Sequence, residues 1–156
     1  GFSKEQSENR ALYGLLGDVL GWICRSADLS LTIRFFELRL LDLVGYRPRL
    51  FECSHCNASL EPVINFFSAE EGGVLCPRCG EGERRVGPIP VGALKVLRYL
   101  QTHEYPECAQ LRLSKATCSD VESVLRRYLV YILERDLKSV EFLNTLRRDE
   151  LVSKHK

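Results

Sequence analysis

The stretch that decides the fold is Cys53-Ser-His-Cys56, followed after nineteen intervening residues by Cys76-Pro-Arg-Cys79-Gly80. Two residues between the cysteines of a pair let one tight turn present both sulfurs to the same tetrahedral ion, and two such turns complete its coordination. The spacing therefore predicts a structural zinc site of the four-cysteine ribbon type, one ion per chain, with Cys53, Cys56, Cys76 and Cys79 as ligands. Because four thiolates leave no coordination position for water or substrate, this site is not expected to be catalytic.

The residues between the cysteine pairs predict a β-hairpin that carries the second pair back to the first. Apolar runs over 63–69 and 74–75 flank a Glu-Glu-Gly-Gly segment, and this order is typical of two strands joined by a tight turn. Asn57 follows the first pair and Gly80 the second, and both residue types tolerate the positive φ that such turns commonly require. The ribbon is thus expected to be a hairpin stapled by the metal.

Other interpretations of the cysteines are disfavoured. Disulfides need an oxidising compartment, whereas seven cysteines without a secretory segment suggest a reducing one. A thioredoxin-like pair belongs in a βαβ setting, and a hairpin is predicted around these cysteines. His55 has a ligating side chain, but four thiolates already fill the coordination shell. The remaining cysteines are too scattered in sequence to predict a second metal site.

Apolar residues recurring at intervals of three and four predict helices on both sides of the ribbon, over 12–23, 28–44, 90–100, 119–135 and 139–146. The helix at 28–44 is apolar on most sides, which predicts a central position. A capping-box pattern at Ser119-Asp-Val-Glu122 and a second cap at Ser139 predict two separate final helices. Segment 81–90, rich in Gly and Pro, is expected to be a connector.

These patterns predict a mainly α fold, a helical bundle with an inserted four-cysteine zinc-ribbon β-hairpin. The expected division is a first helical part at 1–50, the ribbon insertion at 51–82 and a second helical part at 83–156.

Composition excludes several classes of protein. A net charge of +1 excludes a uniformly basic nucleic-acid binder of the histone kind. No apolar run approaches the roughly 20 residues that span a bilayer, so no membrane partner is expected. No phosphate loop or nucleophile elbow is present, so no enzymatic reaction is predicted. The sequence lacks methionine and begins with glycine, so we expect a piece of a longer protein.

Basic residues on the predicted helices leave two interpretations open. Arg34 and Leu38 lie one turn apart and suit an arginine-rimmed apolar groove for an acidic peptide with a hydrophobic end. Arg39, Arg126 and Arg127 are candidates for phosphate contacts on charge alone. In both cases the alternative is a solvated face carrying a few ion pairs.

Three passages resemble the bacterial recombination mediator family RecO. They are Phe35-Phe-Glu-Leu-Arg-Leu-Leu-Asp-Leu-Val-Gly-Tyr-Arg-Pro-Arg-Leu with the cysteine pair after it, Phe66-Phe-Ser-Ala-Glu-Glu-Gly-Gly-Val-Leu-Cys-Pro-Arg-Cys79, and Tyr128-Leu-Val-Tyr-Ile-Leu-Glu-Arg-Asp-Leu-Lys-Ser-Val-Glu-Phe-Leu143. The second fits the family's F-S-x-x-x-G-G-x-x-C-x-x-C run, and the third is similar to its closing helix and lysine-serine turn. The family's N-terminal OB-fold barrel is not found in this sequence, and much of the single-strand binding of an OB-fold would be missing with it.

The resemblance implies a non-enzymatic role in recombinational repair, in the bacterial cytoplasm at the nucleoid. RecO-like proteins bind single- and double-stranded DNA, anneal complementary strands, and act with RecR to help RecA displace the single-strand binding protein SSB. The acidic, phenylalanine-ended SSB tail docks on their helical region, and Arg34 and Leu38 match positions of that pocket. Some members lack the cysteines, which implies a supporting role for zinc.

Two other classes of function remain open. The first is a zinc-ribbon nucleic-acid-binding module of a transcription or translation factor, for which Arg78→Ala or Arg84→Ala should abolish binding. The second is a helper domain of an enzyme whose active site lies elsewhere. Turnover that is lost on mutation of this piece would favour the latter.

Overall fold

The computed structural model describes residues 10–11, 13–18 and 29–154. In chain order its elements are α1 (Leu29–Leu43), β1 (Asn65–Ser68), β2 (Gly73–Leu75), α2 (Pro77–Gly80), β3 (Val86–Ile89), α3 (Val91–Thr102), α4 (Tyr105–Cys108) and α5 (Lys115–Lys154). Residues 10–11 and 13–18 are also helical, and the rest of the helix predicted at 12–23 lies outside the described residues. The predicted class, mainly α with a ribbon insertion, is confirmed.

Helix α1 is the central helix, as its all-round apolar pattern predicts. Its buried side chains are Leu31, Thr32, Phe35, Leu38 and Leu41, and it packs against α3, α4 and α5. The helix ends where Gly45 adopts a φ of 88° and the Tyr46 N–H donates to the Leu41 carbonyl at 2.8 Å. A left-handed residue after the last turn is the usual way a helix satisfies its final carbonyls.

The ribbon is a three-stranded antiparallel sheet in the order β2–β1–β3. The predicted hairpin is present, with Phe66 paired to Leu75 and Ser68 to Gly73. The expectation that 81–90 is only a connector was wrong, because Val86–Ile89 pairs along the other side of β1. Pro88 was a reason to predict a loop there. It lies on an edge strand, where the missing N–H does not interrupt the sheet.

Helix α5 is one continuous helix of 40 residues, not the two predicted. It begins four residues before the capping-box pattern, and the Ser114 Oγ accepts a hydrogen bond from the Thr117 N–H at 3.2 Å, which is a cap on the first turn. Ser139 starts no new helix, since its hydroxyl donates to the Arg135 carbonyl at 3.1 Å. No Gly or Pro interrupts the helix, so nothing forces a break there.

Side chains from α3 and α5 join the ribbon to the helices. The Tyr128 ring packs edge-on against Phe67 of β1 at 5.4 Å, and its hydroxyl donates to the Tyr46 carbonyl at 2.9 Å. From α3, Arg98 donates to the Leu50 carbonyl at 2.8 Å and Gln101 to the Pro48 carbonyl at 2.9 Å. One hydrophobic core therefore contains residues of the sheet and of the helices.

Among the described residues, no helix combines the length and the apolar character needed to cross a bilayer.

Candidate metal centre and basic surface

The four cysteines predicted as ligands come together in one cluster. The Sγ atoms of Cys53, Cys56, Cys76 and Cys79 all lie within 4.8 Å of one another, and those of Cys56 and Cys76 are 3.8 Å apart. A tetrahedral ion with metal–sulfur bonds of about 2.3 Å places its ligands about 3.8 Å apart, whereas a disulfide needs about 2.05 Å. The spacing fits a shared metal ion.

Two different turns present the sulfurs. After the first pair, Asn57 adopts a φ of 65° and its N–H donates to the Cys53 carbonyl at 2.9 Å, as predicted for a residue in the left-handed region. The second pair begins the short helix α2, where the Gly80 N–H donates to the Cys76 carbonyl at 2.9 Å.

The reason predicted for Gly80 was wrong. Its φ is not positive; the positive-φ glycines of the described chain are Gly45, Gly72 and Gly82. A Cβ at Gly80 would instead lie 2.6 Å from the Phe66 ring of β1. Glycine is needed there because the second turn lies directly against the sheet.

Backbone donors make one of the four thiols markedly acidic. Burial raises the pKa of Cys53, but hydrogen bonds from the backbone at Cys56, Cys76 and His55 outweigh it and lower the pKa to about 6. The Cys76 N–H lies 3.3 Å from the Cys53 sulfur. By contrast, the thiol of Cys76 and then burial raise the pKa of Cys79 to about 12. A bound cation would offset the electrostatic repulsion between the clustered thiolates.

The structure leaves the Arg34 side chain only 13% exposed and buries Leu38, one turn further along α1. Leu38 is only 2% exposed and belongs to the core, so it contributes to the floor of this region and not to an open groove. Arg34 Nη2 donates to Glu37 at 2.9 Å, and its Nη1 lies 3.7 Å from a Glu122 carboxylate oxygen of α5.

Glu122 also joins Arg34 to Arg126, because Arg126 forms an ion pair with the same carboxylate oxygen. The Arg34 Nε and the Glu37 Oε2 are buried and have no hydrogen-bond partner among the residues that the structure describes. Burial is the main cause of a raised pKa at Glu37, opposed by Arg34 and reinforced by Glu122. These four residues form a mixed-charge cluster that retains unused hydrogen-bonding capacity.

Arg39 has a structural role in the described chain. Its guanidinium donates to the carbonyls of Gln101 and His103 and lies 4.5 Å from the centre of the Phe35 ring. These carbonyls are at the C-terminal end of α3, where a cation is favourable. Contact of Arg39 with a phosphate stays a prediction, as do those of Arg126 and Arg127.

Arg127 of α5 packs over β3, and its guanidinium covers Gly87 so closely that a Cβ there would overlap it. The same surface includes Arg85, Tyr131 and Lys138. The sequence did not predict Arg85 because the strand that brings it to α5 was taken for a loop. Tyr131 lies on α5 itself, and without that strand nothing marked its position as part of a surface. The only signal was an arginine directly before Val86-Gly-Pro-Ile, in which two β-branched apolar residues flank Gly-Pro.

Fold and site together define a class of protein: a helical domain carrying a ribbon whose four cysteine sulfurs are spaced for a metal ion, with basic residues where the ribbon meets a long helix. Residues 2–141 match the model of the family described as Recombination protein O C terminal. The chain belongs to this family.

Relatives called DNA repair protein RecO support the assignment. The one from Roseiflexus sp. (strain RS-1) is 43% identical over 145 residues, which are 93% of this chain and 51% of the relative. That of Dehalococcoides mccartyi (strain ATCC BAA-2266 / KCTC 15142 / 195) is 35% identical over 150 residues, 96% of this chain and 59% of the relative. The chain thus spans about half the length of these curated relatives. No solved structure matches it significantly.

Proposed function

We propose that this chain is the C-terminal part of a DNA repair and recombination mediator. It binds single- and double-stranded DNA and the C-terminal tail of SSB, and acts with RecR to promote strand annealing and RecA loading. The role is non-enzymatic and belongs to the bacterial cytoplasm, at the nucleoid. The family match over residues 2–141 carries the proposal. The relatives' name, DNA repair protein RecO, supports a role in DNA repair.

The metal we propose is one structural Zn²⁺ per chain, held by Cys53, Cys56, Cys76 and Cys79. Four sulfurs within 4.8 Å of one another suit a tetrahedral ion that prefers thiolates. The ion would fix the two turns against the sheet and take no part in a reaction.

The proposed SSB-tail site uses Arg34 to bind the terminal carboxylate, with the buried Leu38 supporting from below the surface that would meet the phenylalanine end. The Arg34 Nε, which is buried and finds no partner within the described part of the chain, supports this role, since an unsatisfied guanidinium donor gains from a carboxylate ligand. The peptide would compete with Glu122 for Arg34, because Glu122 is the more distant of the two carboxylates on that guanidinium.

The test uses calorimetry to measure binding of an acidic peptide ending in Pro-Phe to the 156-residue chain. We expect micromolar binding that Arg34→Glu weakens at least tenfold, because the charge that holds the carboxylate is reversed. Arg84→Glu, which makes the same change at an exposed residue of the ribbon, is the matched control. Equal affinity of the Arg34 variant and the native chain would remove this pocket.

A further inference from the structure

Two adjoining cavities lie where the ribbon meets α5. One, of about 350 Å³, is lined by ribbon residues Phe67, Ala69 and Arg85 and by α5 residues from Arg126 to Glu134. The other, of about 460 Å³, continues along α5 to Phe142. Both share Arg85, Tyr131 and Glu134. We call the combined feature the ribbon–helix groove.

The groove concentrates positive charge in a chain that is nearly neutral. Its lining contains five cations and a single carboxylate, Glu134, and the cations are Arg85, Arg126, Arg127, Arg135 and Lys138. The whole chain carries a net charge of only +1. Within residues 29–154, Arg126 alone of the five forms an ion pair. Four cations facing one groove without carboxylate partners favour a polyanionic ligand.

The glycine at position 87 leaves room for the Arg127 guanidinium. Gly87 is buried under the Arg127 guanidinium and is paired with Phe67 in the sheet. Its φ is not in the left-handed region, so the backbone there does not require glycine. Any larger residue at position 87 would displace the guanidinium, so glycine permits one cation to lie at the wall of the groove.

Aromatic rings accompany these charges. Tyr131 is half-buried between the cavities, and Phe142 is 63% exposed at the far end. From Arg126 to Phe142, α5 extends about 24 Å at about 1.5 Å per residue. Aromatic rings that alternate with cations along a groove are typical of single-strand binding, because unpaired bases stack on rings while phosphates meet the cations. In a duplex the bases stack on each other and offer no free face.

We propose that the ribbon–helix groove binds single-stranded nucleic acid, with phosphates on Arg85, Arg127, Arg135 and Lys138 and bases on Tyr131 and Phe142. This assignment rests on the proposed DNA binding by the chain and gives it a place and a strand preference. Arg126, held by Glu122, contributes less than Arg127.

The test is fluorescence anisotropy of a labelled oligothymidylate of about 20 nucleotides, long enough to exceed one groove, at several salt concentrations. For Arg127→Ala we expect an affinity loss of about tenfold and a salt slope smaller by about 0.7, the value for one lost phosphate contact on a single strand. Lys95→Ala removes the same charge from an exposed residue of α3 outside the groove. It should leave the slope unchanged.

Gly87→Ala is the sharper variant, because it leaves the net charge intact. The added methyl group displaces the flexible end of Arg127 and not backbone, so the fold should persist. Thermal unfolding of the variant checks this. We expect a loss similar to that of Arg127→Ala, with no further loss in the double variant, since both changes remove one contact. Phe142→Ala should cost about tenfold through lost stacking.

The possible outcomes distinguish failure of the groove assignment from failure of the broader proposal that the chain binds DNA. If the native chain binds the oligonucleotide but Arg127→Ala and Gly87→Ala bind equally well, the groove assignment fails and the DNA-binding proposal stands. If these variants weaken duplex binding as strongly as single-strand binding, the strand preference is wrong. Binding of the acidic peptide in this groove in place of DNA would also overturn the groove assignment. If the native chain binds no DNA, both proposals fail.

Discussion

At the scale of single residues, one carboxylate, that of Glu122, contacts two arginines. Its carboxylate oxygen lies 3.7 Å from Arg34 and pairs with Arg126, so it occupies cations that an anionic ligand would use. We expect Glu122→Gln to tighten binding of the acidic peptide by roughly threefold to tenfold, because removal of an exposed competing charge is worth on the order of 1 kcal/mol. Calorimetry measures the change. Glu134→Gln, on the same helix but outside this cluster, should leave peptide affinity unaltered.

Glu37 predicts a pH dependence of stability. Mainly because of burial, its pKa is raised above 4.5 in the folded chain. The folded state therefore holds this proton more tightly than the unfolded state. The resulting stabilisation is complete below the unfolded pKa and is lost as the pH rises through the folded pKa.

Glu37→Gln removes this titration. Relative to the variant, the native chain should lose stability on going from about pH 4 to neutral pH. Urea unfolding of both proteins across that range gives the difference, in which protonation of the metal ligands cancels. A difference that is flat with pH, or that grows in favour of the native chain, would contradict the raised pKa.

Residue types were predictable from the sequence, but their partners were not. Arg39 has the charge expected of a phosphate contact, yet its guanidinium lies on carbonyls of α3, 62 and 64 residues away along the chain. Leu38 has the apolar character expected of a pocket, yet it is buried in the core. Local pattern carries no information about which distant group a side chain meets.

At the scale of elements, the metal should decide whether the ribbon forms. Its sheet is small, with strands of three or four residues, and such strands have limited stability alone. We expect Cys76→Ser to lose the zinc and several kcal/mol of unfolding free energy, since metal binding is coupled to folding. Metal analysis and thermal unfolding check this. Cys118→Ser, half-buried outside the cluster, should keep one zinc per chain.

The ribbon was the most predictable element and the long helix the least. Cysteine spacing predicted which four sulfurs come together, because tetrahedral metal geometry restricts the spacing of its ligands in sequence. The third strand escaped prediction because edge strands tolerate Pro88. The start of α5 escaped it because Ser119 and Glu122 fit a cap, while Ser114 supplies the actual one. Competing caps within one turn differ by little free energy, so a pattern alone does not choose between them.

At the scale of the whole molecule, Tyr128 joins the sheet to the helices, and the two should unfold together. Tyr128→Phe removes the hydrogen bond to the Tyr46 carbonyl and should cost about 1 kcal/mol, while its ring contact with Phe67 persists. During urea unfolding, the loss of helix measured by far-ultraviolet circular dichroism and the release of the metal should occur in one coincident transition. Tyr99→Phe is a control on α3. Separate transitions for metal release and helix loss would contradict a shared core.

The close fit of Arg127 over Gly87 has an evolutionary consequence. Across relatives, these two positions should change together: a lineage that acquires a methyl group on the strand gains nothing from keeping the long cation opposite, and one that shortens the cation no longer needs a bare backbone beneath it. Paired substitution at these two sites would record, in inherited variation, a contact that neither residue reveals by itself.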